Sequence, residues 1–458
     1  MAFAAPAFLS NLVHAPAMNV VPTIYSTDFG LSLALVGTAL FISRSADVVL
    51  DPLIGYLSDR TGGRLGARKP WVIAGALLTM VSTWFLFAPP PHPGFIYFLV
   101  WYALIYMGWS LIEVPHLAWG LELSRETSVR SRVLTFRGLA MGIAALGYVV
   151  LPLLPIFKTT AVTGETLRVM AWVVVAATPL CMVAALWAPA GVPVRREDHY
   201  NLKDLLSIVR GNPPLWMFLG GFVLWGLSTG MFGTLTFLYL STYLGLAKQF
   251  VFIFGFLTIC QLASLPLAPW IIRKLGNREV WAGSMVLGVM SFVLILLLPK
   301  GSAAVVPMLA LCVPIGVSNA LTLIGYTSVL GDVIDYDTWR TGKKRAAVYS
   351  GLLTFVQKVN VIPGGAIALI IVGLVGYQPK LGAANTPHAI LGLKLAYVVA
   401  PIVLFGLSAL FAGLSPINRR RQGIIARRLG QREARADRAV KTALSPALQV
   451  LPLQTAGG

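Results

Sequence analysis

Three ionisable residues share one mostly apolar stretch: Arg44, Asp47 and Asp51. Asp47 and Asp51 stand four apart and Arg44 three before Asp47, so on a helix all three lie on one face. A carboxylate at the centre of a bilayer helix costs about 2.5–3.5 kcal/mol on insertion scales. Two of them one turn apart point to an ion or proton site turned toward a protein interior. The competing reading is a neutralised Arg44–Asp47 structural pair, which leaves Asp51 unexplained.

Three further charges lie inside apolar runs. Glu113 falls within Trp109-Ser110-Leu111-Ile112-Glu113-Val114-Pro115, Arg137 near the start of the following run, and Lys358 deep in a late one. Intramembrane charges normally face a cavity and pair with one another, and these would nearly balance the two aspartates. Arg137 snorkelling to the surface and Glu113 making a packing hydrogen bond are the alternatives. Asn11, His14 and Asn19 dot the first run, which suits a cavity-lining helix or plain interhelical hydrogen bonding. Trp109, His116 and Trp119 flank Glu113; aromatic rings stack on sugar faces, but they also fill cores.

These residues need helices that cross a membrane. The 458 residues are 57% hydrophobic and only 12% charged, against about 25% charged in a soluble domain. Apolar runs of bilayer length recur, continuous rather than alternating, which excludes a transmembrane barrel. Twelve spans are expected, near 4–26, 31–57, 70–89, 94–122, 132–156, 168–190, 214–245, 249–273, 279–299, 302–331, 346–377 and 388–415. The N-terminus shows no cleavable signal pattern. The net charge of +19 sits in alternate loops, so it reads as membrane orientation rather than nucleic-acid binding. Arg60, Arg64, Arg68 and Lys69, then Arg125, Arg130 and Arg132, then Arg340, Lys343, Lys344 and Arg345 mark the cytoplasmic side, which places both termini there. The three cysteines and five histidines have no disulfide or metal-ligand spacing.

The polar connection 191–213 divides the chain into an N-terminal bundle, 1–190, and a C-terminal bundle, 214–415. A weak repeat agrees: Leu134-Thr135-Phe136-Arg137 in span five resembles Leu353-Thr354-Phe355-Val356-Gln357-Lys358 in span eleven. Two related halves with a site between them suit a secondary transporter. The basic tail, 416–458, is either a surface helix on anionic lipid or a solvated tail.

Gly55-Tyr56-Leu57-Ser58-Asp59-Arg60-Thr61-Gly62-Gly63-Arg64 matches the loop between spans two and three of the major facilitator superfamily. Its expected role is a latch, with Asp59, Arg60 and Arg64 forming and breaking pairs between states. Asp47-x-x-x-Asp51-Pro52-x-x-Gly55, Gly66-x-x-Lys69-Pro70-Trp71, Glu113-Val114-Pro115 and Gly331-Asp332-Val333-Ile334-Asp335-Tyr336, followed by Tyr349-Ser350 and Lys358, resemble the glycoside–pentoside–hexuronide:cation symporters from about residue 26 to 415. The resemblance implies that Asp47, Asp51 and Ser110 hold the cation, that Glu113 and Arg137 hold the sugar, and that Lys358 lies near the cation site. Asp332 and Asp335 join the gating residues. Leu50 stands where family members carry an asparagine ligand, and Asn11 and Leu12 replace a lysine and a sugar-binding aspartate. These departures argue against a full sodium shell and against galactosides.

The expected fold is all-α: twelve transmembrane helices in two six-helix bundles of the major facilitator type. The expected function is symport of a sugar, glycoside or related polar solute in the inner membrane, by alternating access. Asn11, His14, Trp109 and His116 would help to line the substrate site. No cofactor is expected beyond the coupling H+ or Na+, and the proton is favoured because two close carboxylates in a low-dielectric site cannot both ionise cheaply. The expected partners are the solute, the cation and the bilayer, with a monomeric protein and no nucleic acid. A same-fold carrier of an amphiphile such as a lysolipid is the alternative. A membrane-embedded enzyme is less favoured, because no Walker loop, metal motif or nucleophile constellation appears.

Overall fold

The computed structural model describes residues 2–62, 65–123, 127–189, 211–343 and 345–449, and leaves a few side chains within those helices undescribed, Lys358 among them. Arg64, Arg125 and most of the expected central connection therefore lie outside the described residues.

The N-terminal helices are α1 (Ala5–Asn19), α2 (Val21–Thr27), α3 (Leu33–Arg60), α4 (Lys69–Phe87), α5 (Phe95–Glu122), α6 (Thr127–Val150) and α7 (Gly164–Trp187). The C-terminal ones are α8 (Pro213–Leu238), α9 (Phe250–Ser264), α10 (Ala268–Leu275), α11 (Asn277–Ile295), α12 (Val305–Thr341), α13 (Ala346–Leu374), α14 (Pro387–Lys394), α15 (Ala400–Leu414) and the tail helix α16 (Arg419–Gln449). Among the described residues, eleven helices are long and apolar enough to cross a membrane. The expected first span is present as α1 and α2, which part at Val20 between Pro16 and Pro22. Each proline lacks the N–H that a continuous helix needs. The expected eighth span is split at the turn Leu265–Leu267, around Pro266, into α9 and α10.

The expectation ended span ten at 331, yet α12 runs on to Thr341 through three aspartates. Partners account for two of them. Asn277 Nδ2 donates to both carboxyl oxygens of Asp332, at 2.9 and 2.8 Å. Arg345 grips Asp337 at 3.1 and 2.8 Å. The left-handed Gly342, φ 73°, then closes the helix, a conformation glycine adopts without penalty.

Within the first half, α4 packs on α5 and α7, α3 on α5, and α1 on α6 and α7. Within the second, α8 packs on α13 and α15, and α12 on α9 and α11. The halves meet chiefly along α3 and α13. A side chain at Gly37 would come within 2.8 Å of the Ala366 carbonyl, and Gly373 meets the backbone of Ala34. Small residues permit that approach. Thr160 also donates to Lys248 O at 2.8 Å, and Tyr148 meets Phe254. These contacts lie at the end of the bundle away from Arg60, Arg68 and Arg345.

The tail is a docked helix over its described length. Asn418 caps Arg421 N at 2.9 Å, and Ile425 is buried. Arg419 donates to Lys274 O and Arg432 to Trp339 O, both at 2.7 Å, so two arginines tie α16 to the ends of α10 and α12.

Candidate functional site

Helix α3 carries Arg44, Asp47 and Asp51 into contact with α1 and α5. Arg44 and Asp47 are buried, and Asp51 is half-buried one turn further on. Arg44 Nη1 donates to Asp47 Oδ2 at 3.4 Å and Nη2 to His14 Nε2 at 3.3 Å, while its Cζ lies 3.3 Å from the centre of the Tyr106 ring. A guanidinium has no acceptor, so His14 Nε2 must accept and the imidazole is neutral with its proton on Nδ1. The His14 ring stacks on Trp109, centroids 4.6 Å apart. Arg44 is thus bound by a carboxylate, an imidazole and a π face at once. The expected Arg44–Asp47 pair exists, but it is one edge of a larger cluster.

Helix α5 presents Tyr106, Ser110 and Glu113 at spacings of four and three, one face of a helix. Two contacts fix its register on α3: Arg44 on Tyr106, and Gly55, where an added side chain would lie 3.7 Å from Val114. Ser110 falls between those contacts, as do Asp47 and Asp51 along α3. Its hydroxyl is fully buried and has no hydrogen-bond partner among the described residues. A buried hydroxyl without a partner, level with two carboxylates on the neighbouring helix, could ligate a small cation.

One turn along α5, Glu113 Oε1 pairs with Arg137 of α6. The side chains are 18% and 12% exposed, so Arg137 is held inside rather than snorkelled to the surface. Glu113 Oε2 is buried and accepts nothing among the described residues. Arg137 Nε points at His116 Nδ1, 3.4 Å away, and His116 Nε2 lies 2.7 Å from Phe3 O. Those partners require a neutral imidazole protonated at Nε2. His116 is wholly buried and stacks on Phe3 at 4.2 Å. It sits behind Arg137 and sets its direction, where the sequence placed it on the substrate. Asn11 is similarly occupied, donating to Met141 O of α6 at 2.6 Å.

At the basic end, the ion pairs centre on Arg68, a residue outside the expected set Asp59, Arg60 and Arg64. Arg68 donates to Glu122 through Nε at 3.2 Å and Nη2 at 2.6 Å, and to Ser58 Oγ at 2.7 Å, and it pairs with Asp59. It joins the ends of α3 and α5 at the mouth of α4. Burial opposes the charge on Arg68, but the hydrogen bonds it donates to Glu122 and Asp59, with their negative charges, outweigh it and hold the guanidinium above its ordinary pKa. Arg60 instead rests over Tyr56, 4.0 Å from the ring centre. Lys69 donates to Leu186 O at 2.8 Å and Ala188 O at 2.6 Å, capping α7. The second half repeats the arrangement without charge on the donor: Asn277, at the start of α11, holds Asp332 of α12. Asp335 follows it at an exposed position.

Sequence reasoning missed Tyr106, Arg68 and Glu122. Tyr106 carried a signal, four before Ser110 and seven before Glu113. Arg68 carried none, because it read as one more orienting charge.

Comparison with known proteins agrees with this architecture. The chain is 25% identical to the isoprimeverose transporter of Lactiplantibacillus pentosus over 417 residues, 88% of this chain and 85% of that one. It is also 25% identical to the sodium-dependent lysophosphatidylcholine symporter 1 of Xenopus tropicalis, covering 83% and 79%. In fold it resembles a bacterial homologue of the human lysosomal transporter Spinster, with a TM-score of 0.67, 12% identity, and 90% and 96% of the chains covered. The family model for "MFS/sugar transport protein" matches residues 2–419. The chain therefore belongs to the MFS/sugar transport family of membrane transporters, whose glycoside–cation symporters its motifs resemble.

Proposed function

We propose that this transporter couples the downhill entry of a proton to the uptake of a glycoside. One observation carries the reading: a single face of α5 touches both an acidic cluster on α3 and a partly unsatisfied Glu113–Arg137 pair. Asp47, Asp51 and the Ser110 hydroxyl form the cation site, with Arg44 restraining Asp47. Glu113 Oε2 and Arg137 bind substrate hydroxyls, as charge-assisted hydrogen bonds. His116 positions Arg137, and His14, Trp109 and Tyr106 wall the passage between the two sites. Lys358 acts as the counter-charge when the cation leaves. The register supports this: Asp47 is ten residues from Gly37 on α3, and position 358 is ten before the midpoint of the Ala366–Ile370 contact on the antiparallel α13.

On the positive-inside rule the basic loops, both termini and α16 face the cytoplasm. The contacts between the halves then lie on the outer side. Arg68 with Asp59 and Glu122 braces the inner end of the first half. The protein acts as a monomer, with the arginines of α16 resting on anionic lipid headgroups. The lysolipid reading keeps one supporting observation, the likeness to a lysophosphatidylcholine symporter.

The test uses the acid pair. In proteoliposomes, Asp47→Asn and Asp51→Asn should abolish uphill accumulation and retain downhill solute exchange. Concentrative uptake by the double variant would refute the cation site.

A further inference from the structure

The second half contains a cavity of about 240 Å³ between α8, α9, α11, α12 and α15. Trp225, Phe232 and Phe405 form apolar walls, and Thr229, Gln261, Asn319 and Ser318, whose hydroxyl donates to Ser284 O, supply the polar groups. No lining side chain is ionisable. Thr229 donates to Trp225 O at 2.9 Å, which leaves its oxygen free to accept. The amides of Gln261 and Asn319 are half-buried, and no hydrogen bond to either side chain occurs among the described residues. They come from different helices. Gly316 brings those helices together: a side chain there would stand 2.8 Å from Gln261 N, and Asn319 is three residues further along α12.

The internal repeat fixes the depth of this cavity. Glu122 is held from the mouth of α4 and Asp332 from the start of α11, which makes them counterparts 332 − 122 = 210 residues apart. The same offset takes Trp109 to 109 + 210 = 319 and Glu113 to 113 + 210 = 323. Asn319 and Leu323 both line the cavity. On α12 it therefore occupies the positions that correspond to Trp109 and Glu113 on α5. An acid in one half is replaced by leucine in the other, and a tryptophan by an amide.

We propose that this cavity is a second substrate subsite, for an uncharged, hydroxyl-bearing ring distal to the unit held by Glu113 and Arg137. The two amides each offer a donor and an acceptor to ring hydroxyls, and the aromatic walls cover the apolar ring face. A charged ring would find no counter-ion there, and an alkyl chain would leave both amides unmatched. This assignment rests on the glycoside reading above. It implies a preference for disaccharides over monosaccharide glycosides.

The experiment measures binding to the full-length protein in nanodiscs, by calorimetry. The probes are isoprimeverose, cellobiose and xylobiose against methyl xyloside and methyl glucoside. The wild type should bind at least one disaccharide tenfold or more tighter than either methyl glycoside. Asn319→Leu and Gln261→Leu should each remove about tenfold of the disaccharide affinity, one hydrogen bond at 1.4 kcal/mol per decade, and leave methyl glycoside binding within twofold. Equal losses for both probe types, or no loss in either variant, would overturn the subsite while leaving the glycoside reading intact. Binding of lysophosphatidylcholine with no binding of any sugar would overturn both. As a check independent of the leucine variants, maleimide labelling of Asn319→Cys should be slowed by the disaccharide and not by the methyl glycoside; protection by both would contradict the assignment.

Discussion

Glu113→Gln separates a substrate site from a structural ion pair. The substitution keeps the shape of the side chain and an oxygen able to accept from Arg137, but it removes the charge. If the pair is only structural, the effect falls on stability. If Glu113 Oε2 receives a substrate hydroxyl, the effect falls on affinity. A hydrogen bond to a charged group contributes about 1.5–3 kcal/mol and a neutral one about 0.5–1.5 kcal/mol, so the exchange costs about 1–1.5 kcal/mol and should weaken binding roughly 5- to 12-fold. Arg137 is held by His116 as well, at 3.4 Å, so it should stay in place in the variant. Arg137→Gln should lose a similar amount, and the double variant less than the sum, because both residues act on one ligand. The assay is calorimetric titration of purified protein with the tightest glycoside found by thermal-shift screening. Affinity within twofold of wild type in both single variants would refute the assignment, whatever happened to stability.

Other expectations follow from the same contacts. His116→Phe removes the nitrogen that aims Arg137 but keeps a ring against Phe3; it should weaken substrate binding by less than Glu113→Gln, and an effect as large would make His116 a direct ligand. Arg68→Gln strips Glu122, Asp59 and Ser58 of their shared donor; it should lower the thermal unfolding temperature and slow transport while equilibrium affinity stays within twofold. An unchanged transport rate would remove Arg68 from the gate. Arg421→Gln with Arg428→Gln should reduce the phosphatidylglycerol that copurifies with the protein, as read by native mass spectrometry, since both arginines line the cleft of about 340 Å³ between α16 and α12. Equal retention would contradict lipid contact at the tail.

The spans were legible because apolar runs of bilayer length leave few alternatives, and Arg44, Asp47, Asp51, Glu113 and Arg137 were legible because charge inside such runs is costly. What sequence did not reveal was pairing at a distance. Arg68 is one of four basic residues in its loop, with Arg60, Arg64 and Lys69, and nothing local names Glu122, 54 positions away, as its partner. Asp332 and Asp337 lie beyond the expected end of a span, because their partners Asn277 and Arg345 lie in other segments. His116 and Asn11 were polar residues in the right place, but whether such a side chain meets ligand or backbone depends on contacts with Phe3 and Met141 that no periodicity encodes. The tail was ambiguous by composition, and its docking rests on arginine bonds to helix-end carbonyls.

The most direct test of coupling is accumulation in proteoliposomes under separately imposed gradients. With an inward gradient of one pH unit and no sodium, a one-to-one proton symporter can concentrate its solute up to about tenfold, since one decade of either gradient is 1.4 kcal/mol. We expect accumulation approaching that limit, its loss in Asp47→Asn and Asp51→Asn, and none under a sodium gradient at equal pH. Accumulation driven only by sodium would contradict the proton assignment, and equilibration to unity under both gradients would contradict symport itself.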